Sequence, residues 1–211
     1  MSGKPTPVAT VLIWRRARAG AIIQRVSRRP LAIAVALALL LGAAVACTAA
    51  PAGAAGDPSA IRTAAVDWAV AQAGTQERGT SNCSPKIDGW ERDMGLAVPP
   101  CRSWCGAFVH EAFLRAGVCL SARLIDPDRF YRDALAGIRG LQRISVSQIR
   151  RGDVVFYDFR PGLRASHLAI ARARPRGGSL DTVEGNVSNA VRVETRGLRY
   201  IVLAARVVAA G

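Results

Sequence analysis

Between about residues 59 and 136, apolar residues recur at helical spacing. One apolar stripe predicts a helix over residues 59–73, with Ser59 as its N-cap. A second stripe predicts a helix over 103–116 that Ser103 caps and a glycine closes. An Asp-Pro pair then begins a third, shorter helix that ends at about residue 136.

Between the first two predicted helices, residues 75–100 show no sustained period and are predicted as a loop region. Beyond residue 150 the pattern changes to short segments rich in β-branched residues, separated by turn sequences such as RRGD and RPRGGS. Strands are predicted over 153–159, 167–173, 180–186, 190–195 and 199–208. Helices followed by strands predict an α+β domain with the second helix laid on an antiparallel β-meander.

The longest apolar run comes before these elements, at residues 31–46. It has 16 residues and follows a segment charged only by Lys4 and six arginines, which is typical of an export signal or a retained N-terminal anchor. The twin arginine in SRRPLA is compatible with twin-arginine export, and AAVAC ending at Cys47 with lipidation of that cysteine. In each case the rest of the chain is exported to the cell envelope or beyond.

The expected organisation is therefore a signal or anchor over 1–46, a flexible linker over 47–58 and one catalytic domain over 59–211. The formal net charge of +14 overstates the charge of that domain. Seven of the 29 Lys and Arg residues and none of the 15 acidic residues precede Cys47, which leaves 22 against 15, or +7. These positive charges are scattered, so no nucleic acid partner is predicted, and a monomer is expected.

One cysteine is placed as a nucleophile would be. Cys105 begins the second predicted helix, where the helix N-terminus favours a thiolate. The chain has two histidines. His110 lies five residues further along the same helix, about 7.5 Å along the axis and roughly 140° around it, so it cannot easily reach the sulfur. His167 begins a strand after a loop and is the candidate base.

A third group is needed to orient the imidazole of His167. Glu184 and Asn186 are two residues apart at the end of the next predicted strand, and either side chain can accept the second ring N–H. Glu184 would support the imidazolium by its charge, whereas Asn186 would fix the direction of the ring without charge. Both are predicted as catalytic residues, and the sequence leaves open which of them orients the ring.

The ordered motifs SWCGAF, GDVVFYDF followed by SHLAI, and VEGN resemble those of the CHAP family of cysteine- and histidine-dependent amidohydrolases and peptidases. The resemblance covers most of residues 60–195. It implies a papain-like or NlpC-like fold and cleavage of an amide bond in peptidoglycan, either next to muramic acid or within the peptide. The Asp cluster that holds calcium in some members is missing before Cys105, so no metal and no cofactor are predicted. The alternatives are an NlpC-like endopeptidase, for which Glu184 would be dispensable, and a non-catalytic wall-binding or secretion or conjugation component.

Two further expectations concern the surroundings of the nucleophile. The backbone N–H of Cys105 is the expected oxyanion donor, with Asn82 of the preceding loop as the second. Cys101 lies about 20 Å from Cys119 at the other end of the helix, too far for a disulfide. Cys83 is therefore expected to pair either with Cys101, which leaves Cys119 as an odd buried thiol, or with Cys119.

Overall fold

The structure, a computed structural model, describes residues 57–120, 122–137, 140–160 and 164–208. The chain divides into the units Met1–Gly42 and Ala43–Gly211, and the described residues all belong to the second. The predicted signal or anchor, Cys47 and residues 47–56 of the predicted linker lie outside the described residues. Of the helices in the described ranges, none combines the length and the apolar character needed to cross a membrane.

In the described residues, four α-helices precede the strands: α1 Pro58–Ala71, α2 Pro85–Asp93, α3 Cys105–Arg115 and α4 Pro127–Leu135. Helix α2 lies where a loop was predicted, so that prediction is wrong for residues 85–93. Ser84 caps α2 by accepting a hydrogen bond from the backbone N–H of Ile87, with Pro85 at the first turn. Ile87 and Trp90 are buried three residues apart, a signal hidden by the charged residues around them.

The predicted N-caps of the other two long helices are also wrong by one or two residues. Asp57 caps α1, since its Oδ1 accepts from the Ser59 N–H at 2.9 Å. Trp104 occupies the N-cap position of α3, and its side chain makes no capping hydrogen bond. Ser103 is therefore free to contact other groups, and its hydroxyl is described below as part of the site.

Helix α3 is the central helix of the domain rather than an amphipathic surface helix. Every residue from Cys105 to Phe113 is buried. The neighbouring turn approaches so closely that a Cβ on Gly106 would lie 1.7 Å from the Leu124 carbonyl oxygen. Residue 106 must therefore be glycine for this packing, and the motif SWCGAF owes its glycine to that contact.

The sheet has six antiparallel strands: β1 Leu141–Ile144, β2 Val154–Tyr157, β3 His167–Ala171, β4 Ser179–Val187, β5 Ala190–Gly197 and β6 Ile201–Val207. Their spatial order is β1-β6-β2-β3-β4-β5. Strands β2 to β5 form the predicted meander, but β6 crosses back to lie between β2 and β1, and β1 was not predicted. The α+β class with helices packed on an antiparallel sheet is confirmed.

Side chains alternate between the two faces of the sheet. Phe156, Leu168 and Val183 face the main core, which they share with α1 to α4. Tyr157 and Leu180 belong to a smaller core on the opposite face. The sheet is thus buried on both faces over its centre, and polar groups placed there are removed from water.

Candidate active site

Cys105 is the first residue of α3 and is buried, with 1% of its surface exposed. Among the described cysteines, it is the one whose thiol is not in a disulfide. Its hydrogen-bonding neighbour Ser103 is exposed. As the first helical residue, Cys105 has a backbone N–H with no acceptor in the helix, and the positive end of the helix dipole favours its thiolate.

His167 begins β3 and is hydrogen-bonded to Cys105 on one side and to Glu184 on the other. Its Nε2 lies 3.0 Å from Glu184 Oε2. Since Nε2 is engaged by the carboxylate, Nδ1 is the ring nitrogen that faces the sulfur. The structure therefore brings together three of the predicted catalytic residues, which come from α3, β3 and β4.

Cys105 and His167 shift each other's pKa toward an ion pair. Burial alone raises the pKa of the Cys105 thiol, but the hydrogen bond and positive charge of His167, with hydrogen bonds to Leu168 and Ser103, lower it below its usual value. Burial alone lowers the pKa of His167, yet its hydrogen bonds to Cys105 and Glu184 raise it to about 9. These directions favour a thiolate and an imidazolium near neutral pH.

Glu184 is fully buried and makes four hydrogen bonds. Besides the contact with His167, it accepts a bond from Thr182 Oγ1 at 2.6 Å and two from Arg196, at 3.0 Å from Nε and 2.9 Å from Nη2. Burial alone raises the pKa of Glu184, but the hydrogen bonds from His167 and Arg196 lower it to about 2. The carboxylate is thus ionised wherever the protein is folded at ordinary pH.

Of the two candidates for orienting His167, Glu184 hydrogen-bonds to the ring, whereas the side chain of Asn186 has other partners. The pairing of β4 with β5 is irregular between Glu184 and Val187, and Asn186 has a positive φ of 63°. This bulge turns the amide away from the ring. Its Nδ2 instead donates to Ser103 Oγ at 2.9 Å and to Asn82 Oδ1 at 3.4 Å. Asn186 therefore contacts Ser103, which precedes Cys105 by two residues.

Gly185 separates the two polar side chains and packs directly against the helix that carries the nucleophile. A Cβ at this position would lie 2.5 Å from the Cβ of Phe108 and 2.9 Å from Cζ3 of Trp104. A larger residue would push β4 away from α3. The glycine of the motif VEGN therefore sets the distance between the carboxylate and the sulfur.

Asn82 lies near the predicted position, but its backbone N–H is already used. That N–H donates to Glu77 Oε2, and the second oxygen of Glu77 accepts from Trp104 Nε1 at 3.3 Å. The buried Glu77 carboxylate thus joins the loop of Asn82 to the residue before Cys105. The backbone N–H of Asn82 is not available to an oxyanion, whereas the N–H of Cys105 keeps the geometry expected of a donor.

Cys83 and Cys101 form a disulfide with Cα atoms 5.5 Å apart, and Cys119 is also disulfide-bonded rather than an odd thiol. In the described ranges, the cluster of side chains with spacing suited to a metal consists of Cys83, Asp88 and Cys101. Two of its three members are joined in the disulfide and cannot ligate an ion. The disulfide closes the segment that contains α2 and leads into α3.

His110, which was not expected to reach the sulfur, and Asp153 of the RRGD turn are buried elsewhere. Burial lowers the pKa of His110 to about 4, so its ring is neutral. Asp153 accepts from the Arg150 N–H at 2.7 Å and from Arg206 at 2.9 and 2.8 Å. Asp153 therefore stabilises the RRGD turn and its junction with β6.

The sequence did not identify Arg196, Thr182 or Ser103 as members of the site. Arg196 and Thr182 could be found only from the register of β4 with β5, where Leu180 pairs with Arg196. That register puts Arg196 on the face that carries Thr182 and Glu184. The alternation of charged residues at positions 192, 194 and 196 was the available signal, and it is equally typical of an exposed strand.

Neither a family model nor a curated protein sequence matches the chain. Among solved structures, it is similar to a protein from Staphylococcus aureus described as similar to a lipoprotein of the NLP/P60 family. The identity is 17% and the TM-score 0.39, over 73% of this chain and 43% of that chain. The match thus spans less than half of the staphylococcal protein, and a similarity this weak carries nothing about activity.

Proposed function

We propose that the protein is a cysteine-dependent amidohydrolase or peptidase with a papain-like fold that acts on peptidoglycan in the cell envelope. One observation carries the proposal: a reduced Cys105 at a helix N-terminus is hydrogen-bonded to His167, whose other nitrogen lies 3.0 Å from the buried Glu184. A structural cysteine in an oxidising compartment is usually paired, and the other described cysteines are.

The three residues divide the reaction between them. The Cys105 thiolate attacks the scissile carbonyl carbon and forms a C–S bond, giving a tetrahedral oxyanion. His167 donates its Nδ1 proton to the leaving amine as the C–N bond breaks, which leaves a thioester. His167 then takes a proton from water, whose oxygen attacks the thioester and releases the carboxylate product and the thiolate. Glu184 holds the ring and supports its positive form throughout.

Oxyanion stabilisation is assigned to the backbone N–H of Cys105. The exposed Ser103 accepts a hydrogen bond from Asn186 Nδ2 at 2.9 Å. Ser103 is also hydrogen-bonded to Cys105, so its hydroxyl supports the thiolate in the resting site.

The choice of peptidoglycan rests on the CHAP resemblance and on the export-type N-terminus. A positive domain would be attracted to an anionic envelope, since opposite net charges raise the rate of encounter. Attachment through the N-terminal segment would keep the domain near the wall. The contact between Glu184 and His167 favours the carboxylate-assisted mechanism over the alternative in which Glu184 is dispensable.

Incubation of purified protein with cell-wall sacculi tests the proposal. Wild type should release soluble muropeptides, and Cys105→Ala and Cys105→Ser should each reduce the rate by at least about 1,000-fold, because the nucleophile is lost. Circular dichroism of each variant controls for folding. Equal release by wild type and Cys105→Ala would contradict catalysis, and sedimentation with sacculi without release would indicate the non-catalytic alternative.

Analysis of the amino groups that appear in the products separates the two bond classes. Removal of the stem peptide from muramic acid exposes the amino group of the first peptide residue, whereas an endopeptidase exposes one within the peptide or a cross-bridge. Either result agrees with the thiol mechanism, and each names a different substrate bond.

A further inference from the structure

The Glu184 carboxylate lies between two cationic side chains, His167 and Arg196. We propose that Arg196 is a positioning residue of the Cys105–His167–Glu184 site, which fixes the orientation of the carboxylate and balances its charge. The inference rests on the proposed function, because it concerns the state of the thiol that carries out that function.

Arg196 binds the Glu184 carboxylate through two hydrogen bonds. Its Nε and Nη2 each donate to a different carboxylate oxygen, at 3.0 and 2.9 Å, so the two groups form a bidentate ion pair. Oε2 of that carboxylate is the atom that contacts His167. The guanidinium also lies over the ring of Phe159, 5.3 Å from its centroid. These contacts leave the carboxylate little freedom to rotate away from the histidine.

Charged and titratable groups from four elements surround the Arg196–Glu184 pair. They are Glu194 and Arg192 on β5, the latter paired with Glu184 in register, Tyr157 on β2, His167 on β3 and Cys105 on α3. Glu194 is the weaker partner, since its Oε2 lies 4.0 Å from Nη1 of Arg196. Tyr157 is a neutral phenol, because burial raises its pKa. Arg196 is therefore the fixed cation that offsets Glu184.

With Arg196 present, the charges of thiolate, imidazolium, carboxylate and guanidinium cancel. Without it, the site carries one uncompensated negative charge. A more negative surrounding disfavours the Cys105 thiolate and favours the His167 imidazolium, so the pKa of each group rises. Arg196 therefore lowers the pH at which the thiolate forms, in addition to holding Glu184 in place.

The test measures the Cys105 thiolate directly and needs no substrate. The rate of Cys105 alkylation by iodoacetamide is followed against pH by mass spectrometry of the Cys105 peptide in the full chain. Arg196→Gln is compared with Arg196→Lys, which keeps the positive charge but cannot make the same bidentate hydrogen bonds. Arg192→Gln is the matched control, since it removes a positive charge from the same strand, where Arg192 donates to the Val187 carbonyl at 3.1 Å and not to Glu184.

Arg196→Gln should move the midpoint of the alkylation profile upward by about one pH unit, since the site loses an opposite charge. Arg196→Lys should restore most of that midpoint, and Arg192→Gln should leave it near the wild-type value. A lower melting temperature of Arg196→Gln with an unchanged midpoint would overturn the inference, because Arg196 would then have a structural role alone. If wild-type Cys105 itself reacts only above about pH 8.5, as an ordinary thiol does, the proposed function fails independently of Arg196.

Discussion

The two histidines of the protein should titrate on opposite sides of their ordinary pKa of 6.5. The pKa of His167 is raised to about 9, against the effect of burial, by hydrogen bonds to Cys105 and Glu184. The pKa of His110 is lowered to about 4 by burial. A proton NMR titration of the imidazole Hε1 signals resolves both, and a His110→Asn variant assigns them.

The size of the effect on His167 follows from its surroundings. A rise from 6.5 to about 9 corresponds to about 3 kcal/mol, at about 1.4 kcal/mol for each pKa unit. This free energy is shared between Cys105 and Glu184, so Cys105→Ala and Glu184→Gln should each lower the pKa of His167. The double variant should bring the pKa below 6.5, because burial then acts without opposition.

The same values fix the sign of the pH dependence of stability. The pKa of His167 is raised on folding, so its contribution is complete below the unfolded value of 6.5 and is lost as the pH rises through about 9. Cys105, whose pKa is lowered on folding, contributes with the opposite sign over the same range. The fall should therefore be seen in Cys105→Ala above pH 7, and the added change Glu184→Gln should flatten it. A wild-type His167 that titrates at or below 6.5, or one whose pKa neither variant changes, would refute the arrangement of the three groups.

Three further predictions concern stability. Removal of the Cys83–Cys101 disulfide by serine substitution at both positions should lower the free energy of unfolding by about 3 kcal/mol, since it closes a loop with a sequence separation of 18. Urea denaturation measures this, and a loss well under 1 kcal/mol would contradict it. Gly185→Ala should cost at least about 1–3 kcal/mol and most of the activity, because the new Cβ meets Phe108 at 2.5 Å; wild-type stability in that variant would show that β4 can shift freely. The pKa of Glu184 is lowered from 4.5 to about 2, so its contribution of about 3 kcal/mol is complete above pH 4.5 and is lost as the pH falls through about 2. Unfolding of wild type and Glu184→Gln at pH 5 and pH 2.5 tests this, and a parallel loss in both proteins would count against it.

Local signals in the sequence were enough to predict most of the individual elements. Helix α3 ends two residues before Gly117, which has a positive φ of 86°, as expected for a glycine that closes a helix. Strands β2 to β6 lie within two residues of their predicted bounds. Helix α2 was not predicted because charged residues surround its two buried apolar residues, Ile87 and Trp90, and obscure the helical period.

Pairings distant in sequence could not be predicted in the same way. The position of β6 between β1 and β2 is a long-range arrangement that no local pattern encodes. The participation of Arg196 depends on the register of β4 with β5, and the departure of Asn186 from His167 depends on a bulge in that register. The sequence proposed Cys105 and His167 from their residue types, whereas the choice between Glu184 and Asn186 required coordinates.

The place of β6 in the sheet also constrains when the domain can form during synthesis. Ribosomes deliver the chain from its N-terminus, and β6 supplies the partner of both β1 and β2. Until residues 201–207 emerge, β1 lacks its neighbour and β2 presents an open edge. The six-stranded sheet can therefore form only after residues 201–207 have been synthesised, and deletion of β6 would separate β1 from the other strands instead of trimming an edge.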